Sequence, residues 1–325
     1  MEKAVLGIDI AKKNFDVVLW QAGKQVHHSF ANREEGFEQL SHWLQKQGVE
    51  HVHACLEATG RYGEALAHYL YEREYSVSVV NPAQIRDYAR SKLTRNKTDK
   101  MDAGIIAQFC LKEEPALWMP LAPEIQELQA LVRHLETLQD MRTQENNRLK
   151  SDNPSTLVQT MLEEHLRFLD QQIQDVQKRI EEHIHRHPDL KQQQELLLSI
   201  PGIGKKTAAK LLGENIQSFS DGRHLAAYAG LNPGQSRSGS SVRKRTKLSR
   251  IGRTGLRKAL YFPAISAMRF NPVIQTFCDR LVDRHKQGMI VIAAAMRKLL
   301  CLALGVLKSG QPFDPYYRHP NLAHP

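Results

Sequence analysis

The hydrophobic pattern of the chain changes near residue 120, and this change limits the folds that its 325 residues can form. Before that point, short runs with the alternation of β-strands are separated by runs with helical spacing. After it, apolar residues return at intervals of three and four, which is the spacing of packed helices. The sequence therefore predicts an α/β layer followed by a largely helical region.

The first part, residues 1–120, is predicted to be one domain with the order strand, strand, strand, helix, strand, helix, strand, helix. That order is typical of an RNase H-like α/β layer. The predicted strands are 5–10, 15–20, 25–30, 52–56 and 77–80, and the predicted helices are 32–47, 64–72, 85–93 and 102–111.

The second part, residues 121–190, carries two stripes of aliphatic residues separated by a polar turn at Ser151 to Pro154. The turn would send the chain back on itself, so the pattern predicts an antiparallel helical hairpin or a pair of long coiled-coil arms. The spacing argues only for packing, and the arms could serve structure, self-association or contact with nucleic acid. The stripes are Leu128, Leu131, Leu135 and Leu138, and Leu162, Leu166, Leu169, Ile173, Val176 and Ile180.

The third part, residues 191–325, is predicted to be mainly helical and begins with a helix, a Gly-rich turn and a second helix over residues 196–212. Pro201 ends the first helix, and two glycines permit a close turn. Backbone N–H groups of such a helix-hairpin-helix element can hold a phosphate without reading sequence. A plain corner between two helices is the alternative. The residues assigned to phosphate contact are Gly202, Gly204, Lys205 and Lys206.

The net charge of +10 and the pI near 9.4 favour a polyanionic partner, most simply nucleic acid. The distribution of charge adds to this, because no Asp or Glu occurs from Gly222 to Cys278. A stretch of one sign is typical of a phosphate-binding face, although a basic face that only aids solubility is the alternative. The residues assigned to nucleic-acid binding here are Arg237, Arg243, Lys244, Arg245, Lys247 and Arg250.

Four carboxylates are candidate metal ligands because of their positions in the predicted elements. Asp9 ends the first strand, and Glu57 follows the fourth. Asp99 and Asp102 are three residues apart and so share a helical face. Phosphodiester cleavage needs an activated nucleophile and a stabilised leaving oxyanion, and two Mg²⁺ ions held by carboxylate oxygens can assist both. Taken singly, each acid could instead be a turn residue, a helix cap or part of a solvated helix face.

Four motifs follow one another along nearly the full chain. They are Gly7 to Lys12 (GIDIAK), Glu57 to Gly60 (EATG), Lys97 to Ala103 (KTDKMDA), and Gly230 to Pro233 (GLNP) followed by Ser238 and Gly239. In this order they resemble the DEDD transposases, insertion-sequence recombinases related to the Piv DNA invertase, a family of bridge-RNA-guided serine recombinases.

The resemblance implies a RuvC-like N-terminal domain, a C-terminal transposase domain and a reaction in which DNA is cut and rejoined through a serine-linked phosphodiester. Ser238 precedes a glycine and matches the position of the nucleophile, and Ser236, Ser240 and Ser241 stand beside it as alternatives. The acids implied to bind Mg²⁺ are Asp9, Glu57, Asp99 and Asp102.

The resemblance also implies partners, namely double-stranded donor and target DNA and a structured guide (bridge) RNA that pairs with both. Recombination between two DNA duplexes requires four strand cuts, and four cuts need several active sites. We therefore expect a homodimer that becomes a tetramer on DNA. Two other functions stay open. One is a RuvC-like structure-selective nuclease in which the acids activate water, and the other is a nucleic-acid-binding protein without catalysis.

The cysteines and the apolar segments bear on the compartment. The four cysteines are far apart and form neither a disulfide framework nor a metal-type pair, which fits a reducing cytoplasm. The chain enters a strand pattern almost at once, so no secretory signal is expected. The most apolar segment, 289–307, contains Arg297 and Lys298 and is predicted to be a buried helix. We therefore expect a bacterial cytoplasmic protein associated with the nucleoid.

Overall fold

The computed structural model describes residues 4–58, 62–92, 99–151, 155–234, 237–238, 242–243, 247–249, 251–286 and 288–317, with only the backbone of residues 99–100, 237–238, 242–243 and 247. The chain divides into two compact units, Met1–Leu121 and Ala122–Pro325. The first is an α/β layer and the second is mainly helical, which confirms the predicted combination of an α/β part with a helical part.

The first unit combines five strands with four helices: β1 (Val5–Ile10), β2 (Asn14–Gln21), β3 (Lys24–Ala31), α1 (Glu34–Lys46), β4 (His53–Glu57), α2 (Glu64–Glu72), β5 (Ser76–Val80), α3 (Pro82–Ser91) and α4 (Asp99–Glu113). The strands form one sheet in the order β3-β2-β1-β4-β5. The pairs β1–β2 and β2–β3 are antiparallel, and the pairs β1–β4 and β4–β5 are parallel. Every strand and helix predicted for this part is present.

Two of these helices begin earlier than predicted. α3 begins at Pro82 instead of residue 85, because the Asn81 side chain accepts a hydrogen bond of 2.9 Å from the Ala83 N–H and caps the helix. Proline suits the first helical position, where its missing N–H has no partner to lose. α4 begins at Asp99 instead of residue 102, which places both acids of this motif in the first turn of one helix.

The sheet buries both of its faces. Leu6 and Ile8 lie in an apolar cluster with residues of α1 and α2, whereas Val5 lies in another with residues of α3 and α4. This division follows from the alternation of side chains along a strand. Gly7 permits close packing on the second face, because a Cβ there would lie 2.2 Å from the Ala103 carbonyl oxygen. α4 therefore lies directly on β1.

The second unit consists of nine helices, a short 3₁₀ turn at Ile216–Ser218 and four two-residue strands, within the described residues. The helices are α5 (Pro123–Lys150), α6 (Thr156–Arg186), α7 (Pro188–Leu198), α8 (Lys205–Gly213), α9 (Gly222–Tyr228), α10 (Thr254–Ala259), α11 (Tyr261–Phe270), α12 (Pro272–Asp283) and α13 (Gly288–Ser309). The strands are β6 (Pro233–Gly234), β7 (Arg237–Ser238), β8 (Val242–Arg243) and β9 (Lys247–Leu248).

The long helices α5 and α6 form the predicted antiparallel hairpin. Arg142 of α5 forms an ion pair with Asp170 of α6, and Glu145 lies 3.9 Å from His165 further towards the turn. Val132 is buried where the spacing pointed to Leu131, which is only partly buried. Coiled-coil packing of these arms stays a prediction. So does a domain boundary at residue 190, although aliphatic residues of α5, α6 and α13 belong to one apolar cluster.

α13 contributes nine buried residues to that cluster. Leu299, Leu300 and Ala303 are buried in it. α13 is the one helix in the described part of the chain that is long and apolar enough to cross a membrane, judged by length and composition only. Half of its most apolar 18-residue stretch is buried inside the protein.

Candidate catalytic centre and nucleic-acid interface

Asp9 and Glu57 lie side by side at one edge of the sheet. Ile8 of β1 pairs with Leu56 of β4 in parallel register, so the next residue on each strand is one of the two acids. Asp9 follows Gly7 by two residues, and both therefore face α4. Each acid is half-buried. The carboxyl ends of two parallel strands thus bring two carboxylates together on a rigid support.

The first turn of α4 lies towards the same edge. Ala103 and Ala107 rest on Gly7 of β1. The Cys110 thiol, further along the helix, donates to the carbonyl oxygen of His53 at the start of β4, with an S–O distance of 3.8 Å. α4 therefore runs antiparallel to β1 and β4, and its N-terminal turn points to the edge where these strands end. Asp102 is half-buried in that turn.

Asp16 is a further acid at this edge, and the sequence did not single it out. It lies opposite Asp9 in the antiparallel register of β1 and β2. Its carboxylate is hydrogen-bonded to His27 Nε2 at 2.8 Å, and the side chain is 20% exposed. The alternation of β2 places it on the same face as Asp9, so a correct register would have found it.

The donors at this edge suit a hard divalent cation. Carboxylate oxygens are the ligands that Mg²⁺ prefers, and strand ends hold them in a fixed place. Among the described residues, no three His, Cys, Asp or Glu side chains are grouped to hold a metal ion. The side chain of Asp99, the fourth predicted ligand, lies outside those residues. The assignment of Asp9, Glu57, Asp99 and Asp102 stays a prediction.

In the second unit, the predicted helix-hairpin-helix element is the corner between α7 and α8. Gly202 has a φ of +107°, and a Cβ there would lie 2.7 Å from the Ala267 Cβ, so glycine is required by both backbone and packing. Gly204 precedes α8 in open space. Lys205 pairs with Glu181 at 3.1 Å, and Lys206 donates to the Gln139 side-chain oxygen at 2.6 Å. Phosphate binding here stays a prediction.

The segment that carries Ser238 contains two short antiparallel ladders. β6 pairs with β9, and β7 pairs with β8, so that Ser238 lies opposite Val242. Backbone pairing between the two strands of each ladder forms them even though runs of two residues carry only a weak strand signal in the sequence. Predicted residues outside the described part are Lys244, Arg245 and Arg250, and the alternative serines Ser236, Ser240 and Ser241. The side chains of Arg237, Ser238, Arg243 and Lys247 are outside it too.

The two ends of this segment lie together beside the C-terminal end of α9. The Ser249 N–H donates to the Asn232 carbonyl at 2.9 Å, and the Arg253 N–H donates to the Tyr228 carbonyl at 2.6 Å. Gly252 has a φ of +135°, and a Cβ there would lie 2.4 Å from the Tyr228 carbonyl oxygen. Residues 230–253 therefore leave and rejoin the helical core at one place.

A buried charged cluster stabilises that place. Glu214 accepts hydrogen bonds from Tyr228 at 2.8 Å and from Arg253 at 3.3 Å, and Lys210 contacts it at 3.1 Å. Lys210 also contacts Glu136 at 2.9 Å. Burial raises the pKa of Glu214, but the Tyr228 hydroxyl and the two cations together outweigh burial and leave this pKa below its usual value. Burial and the Glu214 charge raise the pKa of Tyr228 to about 12, so its hydroxyl remains a donor.

Comparisons with known proteins agree with the order of the motifs. Residues 6–162 match a family model described as a transposase, and residues 194–279 match the model of the IS116/IS110/IS902 transposase family. The pilin gene-inverting proteins of Moraxella bovis and Moraxella lacunata are each 36% identical to the chain, over 97% of the chain and 98% of those proteins. A 43.6 kDa protein of insertion element IS110 from Streptomyces coelicolor is 32% identical over 37% of the chain and 30% of its own length. Among solved structures, YeaZ from Pseudomonas aeruginosa matches 28% of the chain and 50% of its own, at 14% identity and a TM-score of 0.22, which is too low to support an argument.

Proposed function

The chain belongs to the IS116/IS110/IS902 transposase family and is a DNA recombinase, and on this premise we propose that it cuts and rejoins DNA through a serine-linked intermediate. The proposed metal ligands are Asp9, Glu57, Asp99 and Asp102, and the proposed nucleophile is Ser238. The observation that carries the proposal is the pairing of Asp9 with Glu57 at the ends of two parallel strands, towards which the first turn of α4 points.

The sheet order supports a RuvC-like assignment for the first unit. Three antiparallel strands followed by two parallel ones, in the order β3-β2-β1-β4-β5, are what an RNase H-like layer requires. In such a layer the central strand β1 and its parallel neighbour β4 would supply the first two acids. The first two ligands would then lie on neighbouring strands inside the sheet, which is a support that fixes their positions.

The acidic residues would hold the cation, and the serine would perform the bond exchange. Bound Mg²⁺ would supply charge neutralisation for the leaving oxyanion and activation of the attacking hydroxyl. Ser238 Oγ forms a bond to phosphorus while the bond to the leaving strand breaks, and the serine proton ends on the hydroxyl of that strand. Reversal with a new strand rejoins DNA without ATP, in keeping with a sequence that has no G-x-x-x-x-G-K-[ST] motif.

The proposed partners come from the reaction and from the resemblance to the family. We propose double-stranded donor and target DNA, a bridge RNA as guide, and a homodimer that assembles into a tetramer on DNA in the bacterial cytoplasm. The basic residues of the serine segment and the corner between α7 and α8 would contact phosphates. The hairpin of α5 and α6 would provide the surface for self-association.

A covalent-adduct assay tests the proposal. A radiolabelled duplex made from the DNA that flanks the gene is incubated with the protein, its copurifying RNA and Mg²⁺, and is then run on a denaturing gel. We expect a protein–DNA adduct with the natural chain and with Ser240→Ala, and none with Ser238→Ala or Asp102→Asn. Nicked DNA without an adduct, produced equally by Ser238→Ala, would favour a nuclease. Unchanged excision and insertion in cells with Asp102→Ala would favour a protein that only binds nucleic acid.

A further inference from the structure

A cavity of about 460 Å³ lies within the second unit, bounded by residues of α5, α6, α7, α8, α10 and the start of α11. Its volume falls in the range of roughly 300–1,000 Å³ that holds small ligands in proteins. Val132, Leu135 and Ile180 form an apolar part of the wall, and Lys206 and Lys258 lie at its exposed side. Among the described side chains, the proposed metal ligands Asp9, Glu57 and Asp102 do not line it.

The charge of this cavity favours an anion. Two of its lysines are neutralised, because Lys205 pairs with Glu181 and Lys210 with Glu136. Lys206 is hydrogen-bonded to an uncharged amide oxygen, that of Gln139. Lys258 is exposed and has no carboxylate partner among the described residues. Two positive charges are thus left at the mouth of an apolar cavity.

An exposed aromatic ring lies beside these charges. Phe262, at the start of α11, is 76% exposed. The ring is held edge to face against Tyr261, with 5.2 Å between centroids. A fixed aromatic face next to lysines is the arrangement that proteins use to bind unpaired bases, because every base can stack and every nucleotide carries a phosphate.

We propose that this cavity binds one unpaired nucleotide of a single-stranded nucleic acid, with its base stacked on Phe262 and its phosphate held by Lys206 and Lys258. A duplex does not fit this description, because its bases are stacked on one another and offer no free face. Gln194, which is 6% exposed and lines the cavity, carries an amide that can bond a base edge. The inference deepens the proposed function, since it assigns the recombinase a site for the unpaired part of its nucleic acid.

The test is direct binding of labelled oligonucleotides to the full chain by fluorescence anisotropy. Single-stranded oligo-dT, single-stranded oligo-U and a duplex of the same length are compared for the natural protein, Phe262→Leu and Phe270→Leu. Phe270 is a matched control, because it is 70% exposed on the same helix and does not line the cavity. A second measurement maps the photocrosslink formed by an oligonucleotide that carries 5-iodouracil.

We expect Phe262→Leu to weaken single-strand binding about tenfold, to leave duplex binding unchanged, and to remove a crosslink at or next to residue 262. Phe270→Leu should behave as the natural protein. A loss confined to oligo-U or to oligo-dT would identify the strand that uses the site. Equal affinity of the two variants for single strands, or an equal loss for the duplex, overturns the inference. Because Phe262→Leu leaves Ser238 intact, the adduct assay separates this failure from failure of the proposed function.

Discussion

Replacing Glu214 by glutamine should destabilise the second unit, because this carboxylate compensates two cations and is almost out of solvent. Its side chain is 4% exposed, that of Lys210 is 7% exposed and that of Arg253 is 45% exposed. Glutamine has nearly the same volume and can still accept a hydrogen bond from Tyr228. The substitution therefore removes the charge without opening a cavity.

The size of the destabilisation depends on the interactions that Lys210 and Arg253 keep once the Glu214 charge is removed. Breaking a buried ion pair costs about 3–5 kcal/mol, because the remaining charge stays buried without compensation. Lys210 keeps Glu136 at 2.9 Å, and water can replace part of the interaction lost by half-exposed Arg253. We therefore expect the lower end, about 3 kcal/mol of the free energy of unfolding. For a unit of this size that loss lowers Tm by about 6–12 °C.

The assay can follow the two units separately. The chain has three tryptophans, and Trp20, Trp43 and Trp118 all lie in the first unit. Urea unfolding followed by circular dichroism reports mainly on the helices of the second unit, whereas tryptophan fluorescence reports on the first. Glu214→Gln should shift the circular-dichroism transition of the second unit and leave the fluorescence transition of the first unit in place.

The matched control is Glu182→Gln, which breaks an exposed pair on α6. Lys178 and Glu182 are 77% and 55% exposed and 3.8 Å apart, and such pairs contribute about 0.5 kcal/mol or less. If Glu214→Gln lost no more stability than this control, the buried cluster would not stabilise the fold and the reasoning would be refuted.

Three other perturbations test the pKa of Glu214, the packing of α4 on β1 and the contact of Arg243 with phosphate. The partners of Glu214 hold its pKa below the usual 4.5, so this carboxylate stabilises the fold above that pH and the stabilisation is lost as pH falls through the folded-state pKa. Urea midpoints should therefore drop on acidification below about pH 4.5. A drop of equal size in Glu214→Gln would contradict this. Gly7→Ala should lower the free energy of unfolding, followed by tryptophan fluorescence, by about 1–3 kcal/mol or more, because the new Cβ meets the backbone of α4 at 2.2 Å. The control Gly104→Ala, whose Cβ would have nothing within 4 Å, should be neutral or stabilising. Equal unfolding midpoints of the two variants would refute the close packing. Arg243→Gln should weaken binding to all duplex sequences alike and reduce the slope of log affinity against log salt by about 1, and a loss limited to one DNA sequence would show a base contact instead.

The first unit could be predicted well because its signals are local and periodic. Each strand and helix there follows from alternation or helical spacing, and the β1–β4 neighbourhood that pairs Asp9 with Glu57 is implied by the order of elements. The start of α3 was misjudged because Asn81-Pro82 is both a strand end and a helix start. Asp16 was missed because its position depends on register, which no single strand reveals.

The second unit was harder to predict where it depends on contacts between distant residues. Glu214 carries no motif. Arg253, which contacts Glu214, and Glu136, which contacts Lys210, are both distant from it in the sequence. The ladders around Ser238 are only two residues long, which is too short for a periodic signal. The spacing also predicted that Leu131 is buried, whereas Val132 is the buried residue. Steps of three or four positions fit two adjacent stripes of α5 equally well.

The central claim is that the four acids hold metal together so that Ser238 can attack a phosphorus atom. The most direct measurement is a crystal structure of the DNA-bound protein grown with Mn²⁺, with the anomalous signal used to locate the ions. We expect an ion within about 2.1 Å of oxygens from both Asp9 and Glu57, with the carboxylates of the first turn of α4 at the same ion or at one beside it. Carboxylates too far apart to share an ion, or Mn²⁺ bound elsewhere, would contradict the account.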